Sequence, residues 1–264
     1  MKKFLIALNI VIWSFLGYDV AFAADNSIYI DQSGDNATVT ITQDGGGNVV
    51  RGIQGVGTGN TTRAKIYGNN NQVTVSQIGS SNVLNLGLTT TVASGGANPS
   101  VTYSVTGNNA VATINSNNAG TGTSASNIIA VTQSGNTATT TVAVTGSSNT
   151  LTATQSGGAS NTLTATIAAN SVTSTVSNTG GASNTTTLNQ TGNNADATVT
   201  TVGASNTTTI TQSGGGLLGH SATYVSSGSS NTTTITQSGA TSDSVVNLLS
   251  SGSGNTFSIT SDAK

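Results

Sequence analysis

The sequence predicts an all-β protein: a β-solenoid of about ten two-strand rungs in a single domain, preceded by a signal peptide. Three observations carry that expectation. First, a short phrase of strand and turn recurs along the chain. It shows in Gln32, Gln43 and Gln54, placed eleven residues apart, where the first two open the turns Ser33-Gly34-Asp35-Asn36 and Asp44-Gly45-Gly46-Gly47-Asn48. Between those turns the run Thr38-Val39-Thr40-Ile41-Thr42 alternates as a strand does. Second, the composition suits strands and tight turns, with Thr and Val favouring the former and Gly and Asn the latter. Third, Lys, Arg, Asp and Glu make up only 5% of the chain, whereas polar chains that stay disordered carry many charges.

The leader comes first in the chain. Lys2 and Lys3 form a positive start, Phe4 to Leu16 an apolar run, and Ala21-Phe22-Ala23 a small-residue cleavage site. Residues 1–23 therefore read as a secretory signal peptide cut after Ala23. The apolar run is short for a membrane span and is broken by Asn9. Residues 24–264 are expected to form one repeat domain that leaves the cytoplasm and is not inserted in a membrane. Beyond the leader the charges are Arg51, Arg63, Lys65 and Lys264 against seven Asp, a net of −3, and none falls between Ile66 and Ala195. Such a chain offers no basic patch for nucleic acid or anionic lipid. It has no Cys, so it needs no disulfide in oxidising surroundings. With so few large side chains it cannot close one ordinary globular core.

The repeat organises what remains. Asparagine opens most strands and glutamine falls six residues later: Asn26/Gln32, Asn48/Gln54, Asn71/Gln77, Asn127/Gln133, Asn149/Gln155, Asn184/Gln190, Asn206/Gln212 and Asn231/Gln237. An even spacing puts both amides on one face of a strand, with the residues between them at the second and fourth positions. Those are mostly apolar, as in Val73/Val75, Ile129/Val131 and Leu151/Ala153. The opposite face reads Thr150/Thr152/Thr154, Thr207/Thr209/Thr211 and Thr232/Thr234/Thr236. One face is expected inward and the threonine face outward. Strands without the closing Gln alternate with these, at 137–144, 162–168, 195–202, 221–226 and 244–249, so a rung is two strands in about 23 residues. Asn36 and Gln43 mark an additional Gln-bearing strand in the opening stretch. The stretch from Asn82 to Asn127 is irregular and holds the only proline, Pro99. The 35 residues between Gln155 and Gln190 predict an extra strand or loop.

A single rung cannot be stable. Ordering its backbone costs about 1–2 kcal/mol per residue, and two buried aliphatic side chains return only about 1.5–3 kcal/mol each. Stacking must supply the rest. Strands of successive rungs then lie about 4.8 Å apart, with identical amides aligned in ladders. No capping helix is expected around the repeats, which run from Asn26 to Ile259, and bare strand edges invite addition of another copy.

These residues resemble the curlin repeat, whose phrase is Gln-x-Gly-x-x-Asn followed by a second Gln. Gln43-Asp44-Gly45-Gly46-Gly47-Asn48 with Gln54 matches it, as do Gln32-Ser33-Gly34 with Asn36 and Gln43, and Gln77-Ile78-Gly79 with Asn82. Looser matches are Gln133-Ser134-Gly135-Asn136, Gln155-Ser156-Gly157, Gln190-Thr191-Gly192-Asn193, Gln212-Ser213-Gly214 and Gln237-Ser238-Gly239. The resemblance implies a subunit of curli-type fibres: secreted, self-assembling, extracellular at a bacterial surface, and serving adhesion and biofilm matrix. It further implies homopolymer contacts, contacts with other curlin-like subunits, and outer-membrane secretion machinery as partners. The chain is longer than the family's major-subunit type, and its second strands have largely lost their Gln.

No catalytic, cofactor or metal site is expected. His220, the only histidine, falls where other rungs carry the opening Asn and reads as a turn residue. Asp31, Asp35 and Asp44 are close in sequence but do not follow a calcium-repeat pattern. Gly45-Gly46-Gly47 and Gly214-Gly215-Gly216 lack the Lys and helix of a phosphate loop. Two other readings are compatible with the repeat: an ice-binding solenoid using the stacked Thr rows, and a surface adhesin that does not polymerise.

Overall fold

The computed structural model of the protein describes residues 25–33, 38–53, 62–67, 71–90, 100–118, 126–215 and 217–264. The expected leader lies outside the described residues, as do Asp35, Asn36, Gln54, Pro99 and Gly216.

In chain order the first coil holds β1 (Ser27–Ile28), β2 (Ile30–Ser33) and β3 (Thr38–Asp44). The second holds β4 (Val49–Arg51), β5 (Ala64–Tyr67) and β6 (Gln72–Ile78). Two-strand coils follow: β7 (Val83–Thr90) with β8 (Ser100–Thr106), β9 (Val111–Asn118) with β10 (Ile128–Ser134), and β11 (Thr139–Thr145) with β12 (Thr150–Ser156). Next are β13 (Thr162–Ala168) with β14 (Thr173–Thr179), and β15 (Thr185–Gln190) with β16 (Asp196–Val202). Then come β17 (Thr207–Gly214) with β18 (Ser221–Ser227), β19 (Thr232–Gly239) with β20 (Val245–Ser251), and finally β21 (Thr256–Asp262).

Alternate strands build two sheets. The first runs β1-β4-β7-β9-β11-β13-β15-β17-β19-β21, with β2 and β5 beside this path, and the second runs from β3 through the even-numbered strands β6 to β20. Neighbours are parallel and in register, as in Ile210 opposite Ile235 and Val176 opposite Val199. This is the expected parallel β-solenoid. Its second sheet has nine strands among the described residues, one for each coil, and β21 follows the last of them. Parallel stacking follows from the repeat itself, because each coil brings the same side chain to the same height on the neighbouring strand.

The inward faces supply the core. Leu84, Leu86 and Leu88 on β7, Val101, Tyr103 and Val105 on β8, and Leu163, Ala165 and Ile167 on β13 are all buried. The expected pairs Val73/Val75, Ile129/Val131 and Leu151/Ala153 point inward and are buried too, whereas Thr207, Thr209 and Thr211 on the other face are exposed or half-buried. At β1 and β2 the pattern is weaker: Ile28 is exposed and Ile30 half-buried.

The 35-residue interval has a simple cause. Between β12, which carries Gln155, and β15, which ends in Gln190, lie the regular strands β13 and β14. The interval is one and a half coils, and the glutamine has moved from the second sheet to the first. The irregular stretch after Asn82 likewise contains regular strands β7, β8 and β9.

Candidate functional site

Among the described residues, most strands are entered through a sharp corner. The residue just before the opening position takes a left-handed backbone, with φ of 60° at Ser81, 58° at Ser205 and 58° at Ser230. That conformation is uncommon for a residue with a Cβ, and short polar residues occupy it here. Glycine stands two residues earlier in most of these corners, with Ala169 in that place before Ser171. Gly107 has φ of 142°, and a Cβ there would stand 2.1 Å from the carbonyl oxygen of Gly135 in the next coil. Successive corners therefore stack backbone on backbone.

The corner delivers an asparagine into the interior, where its amide joins two coils. Asn206 Oδ1 accepts from the backbone N–H of Asn231 at 2.9 Å, and Asn231 Oδ1 accepts from that of Asn255 at 2.9 Å. The Nδ2 groups donate to corner carbonyls of the following coil, Asn206 to Gly228 at 2.9 Å and Asn231 to Gly252 at 3.0 Å. Asn48 and Asn184 do the same in the first sheet, and Asn127 and Asn149 in the second. A buried amide that finds partners for both ends in this way closes the hydrogen bonding of the corner.

Glutamine closes the other end of the strand. Gln190 Nε2 donates to Gln212 Oε1 at 2.8 Å, and Gln212 Nε2 to Gln237 Oε1 at 2.9 Å. The same groups reach across the solenoid to carbonyls where the next strand begins: Gln212 to Asp196 and His220, and Gln237 to Ser221 and Ser244. In the second sheet Gln43 donates to Gln77 at 2.7 Å and Gln133 to Gln155 at 3.1 Å. Between those pairs Val105 occupies the glutamine position on β8, and the Tyr103 hydroxyl donates to Gln133 Oε1 at 2.9 Å instead. Burial pushes the Tyr103 phenol well above its ordinary range. Past Gln155 the register brings in Asn178, one methylene shorter, and neither Gln155 Nε2 nor Asn178 Nδ2 has a partner.

Of the residues singled out by sequence, Asn48, Asn71, Gln77, Asn127, Gln133, Asn149, Gln155, Asn184, Gln190, Asn206, Gln212, Asn231 and Gln237 are buried. Gln43 is half-buried. Asn26 is exposed, with Oδ1 accepting from the Asn48 N–H at 2.9 Å, and Gln32 is exposed on β2 opposite Ile66. The structure adds Asn161 and Asn255 to the opening position and places there Asn82, known in sequence only from the repeat match after Gln77. The Asn/Gln spacing passes over them because the residues six places on are Leu88, Ile167 and Ser261 rather than Gln. The signal that finds Asn82 and Asn161 is the Ser-Asn corner, and Asn255 follows Gly254 in the same role. His220 also belongs to the set: it is fully buried at the opening position of β18 rather than on the surface of a turn. Asp31 and Asp44 lie on β2 and β3, in different sheets.

An array of this kind presents directional donors and acceptors along one axis. Along that axis each strand pairs in register with the matching strand of the next coil. Residues 181–214, which contain β15, β16 and β17, match the family model of the curlin associated repeat. Neither the curated proteins nor the solved structures returned a match. The chain thus carries the curlin associated repeat within a parallel β-solenoid, consistent with the curlin family.

Proposed function

We propose that the protein is a structural subunit of a secreted, self-assembling, amyloid-like surface fibre of the curli type, serving cell adhesion and biofilm matrix. The curlin repeat is a structural family and generally non-enzymatic. The observation that carries the reading is the in-register amide ladder, in which each coil is the template for the next: the donors and acceptors that hold Gln212 to Gln237 are those a second copy could offer. Contacts with other curlin-like subunits and export through outer-membrane machinery belong to the same reading. Electron microscopy and fibre diffraction of the purified protein left to stand test it. Fibrils with reflections near 4.7–4.8 Å and about 10 Å are expected, and particles that stay monomeric would overturn it. Replacing Gln32, Gln43 and Gln54 by Ala should slow fibre growth, read as a longer lag and lower elongation rate; unchanged kinetics would remove those three from the assembly surface.

A second reading rests on the outer face of the first sheet. Thr139, Thr162, Thr185, Thr207, Thr232 and Thr256 stand in one unbroken register row, and Thr141, Thr164, Thr187, Thr209 and Thr234 in the next. A flat, uncharged lattice of hydroxyls and methyls is suited to ordering water as ice does. Thermal hysteresis by freshly purified monomer, lost on replacing Thr187 and Thr209 by Lys, would favour this reading over the fibre.

A further inference from the structure

His220 occupies a position that several other strands fill with asparagine, and its ring offers an acceptor to the next coil, as the amide does, and a donor within its own coil. Nδ1 accepts from the backbone N–H of Ser244 at 3.2 Å, as Asn206 Oδ1 accepts from the N–H of Asn231 at 2.9 Å. Nε2 lies 3.1 Å from the carbonyl oxygen of Ser213, which can only accept. Together these contacts require the neutral ring with its proton on Nε2. The Ser244 hydroxyl is 3.0 Å from Nδ1 and also accepts from Gln237 Nε2 at 3.0 Å.

We propose that His220 is an acid-sensitive latch between the coil of β18 and that of β20. Adding a proton to Nδ1 turns the acceptor for Ser244 into a donor facing another donor. The new N–H can turn to the Ser244 hydroxyl, but the Ser244 amide then loses its acceptor, and a full charge stands where the ring has no exposed surface. Asparagine in the same place has no such proton chemistry.

No carboxylate is among the groups hydrogen-bonded to the ring. From β16, Asp196 gives its backbone N–H to the His220 carbonyl while its side chain is exposed. From the corner before β20, Asp243 uses both carboxylate oxygens on the N–H groups of Leu218 and Gly219. β17 and β19 present Ser213, Gln212 and Gln237, none of them charged. The sign follows from these contacts. Protonation breaks a bond that only the closed coil makes, so the contribution is present while the ring is neutral and is lost as pH falls. As a residue type, histidine changes its charge between about pH 8 and pH 5.

The test compares the protein with His220→Asn by hydrogen exchange, as protection factors for the amides of β20 and β21 at about pH 7.5 and pH 5.5. The protein should lose protection on the order of tenfold on acidification, while the variant, with the amide used in other coils, should lose none. Equal losses in both would overturn the latch. Because His220 is the only histidine, its ring-nitrogen NMR shifts give a second readout that needs no variant. A ring that is neutral with bare Nδ1 while the coil is closed supports the latch. A ring protonated on Nδ1 at neutral pH, or one that titrates without loss of protection, overturns it.

Discussion

The two glutamine ladders differ in continuity. In the first sheet Gln190, Gln212 and Gln237 follow one another on β15, β17 and β19, each amide satisfied by the next and by carbonyls across the interior. In the second sheet the ladder is broken: Val105 interrupts it at β8, and past Gln155 it ends against Asn178 with two amide nitrogens unpartnered. Both sheets stack in the same register, so stacking does not require glutamine at this position. What an uninterrupted ladder adds is mutual satisfaction, and its members are therefore the more costly to remove.

The largest effect should come from Gln212. Its replacement by Ala takes a partner from Gln190 Nε2, from Gln237 Oε1 and from the carbonyls of Asp196 and His220 in a buried site, and leaves a void. A loss of about 3 kcal/mol or more is expected in denaturant unfolding of the monomer. Gln155→Leu should cost less, about 1–2 kcal/mol: its Nε2 has no partner to lose, and although its Oε1 accepts from Gln133 Nε2 and the Thr140 hydroxyl, Gln133 Nε2 keeps the Thr140 oxygen at 2.6 Å. Equal losses at the two positions would break the distinction between the ladders.

Tyr103 tests the repair at the interruption. Tyr103→Phe keeps the ring in the core and removes the donor to Gln133 Oε1, so a loss of about 1–2 kcal/mol is expected. The buried phenol should also resist alkali: followed by ultraviolet absorbance at high pH, Tyr103 should ionise only with unfolding. If Tyr103→Phe is neutral, the hydroxyl is not a substitute for the missing glutamine.

Much of this is legible in the sequence, for a physical reason. A solenoid repeats one local environment, so inward and outward faces at Leu151/Ala153 and Thr150/Thr152/Thr154 follow from period-two alternation alone. Which sheet a strand joins is not legible, because spacing in sequence does not distinguish one coil from one and a half until the strands are counted. The transfer of glutamine from Gln155 to Gln190 is hidden for that reason. The sequence places His220 at the opening position but reads it as a turn residue, because burial and the contacts of its two ring nitrogens, one an acceptor and one a donor, depend on the stacked coils.

The smallest effect expected is a gain. On the continuous ladder the first inward position after the asparagine is threonine, with Thr186, Thr208 and Thr233 in one register row. In the neighbouring coil, on β13, the row is filled by Leu163. Thr186 has a use for its hydroxyl, donating to Asn178 Oδ1 at 3.1 Å, but the hydroxyls of Thr208 and Thr233 are buried without a partner. Valine has nearly the same shape, keeps the β-branch that suits a strand and removes the unmet polar group. Thr208→Val and Thr233→Val should therefore each stabilise the monomer by about 1 kcal/mol, while Thr186→Val should destabilise it by leaving Asn178 Oδ1 unmet. The opposite signs matter more than the sizes. If all three were destabilising, the threonine hydroxyls would be serving the ladder, and the apolar requirement of the inward face would have to be confined to the remaining positions of each strand.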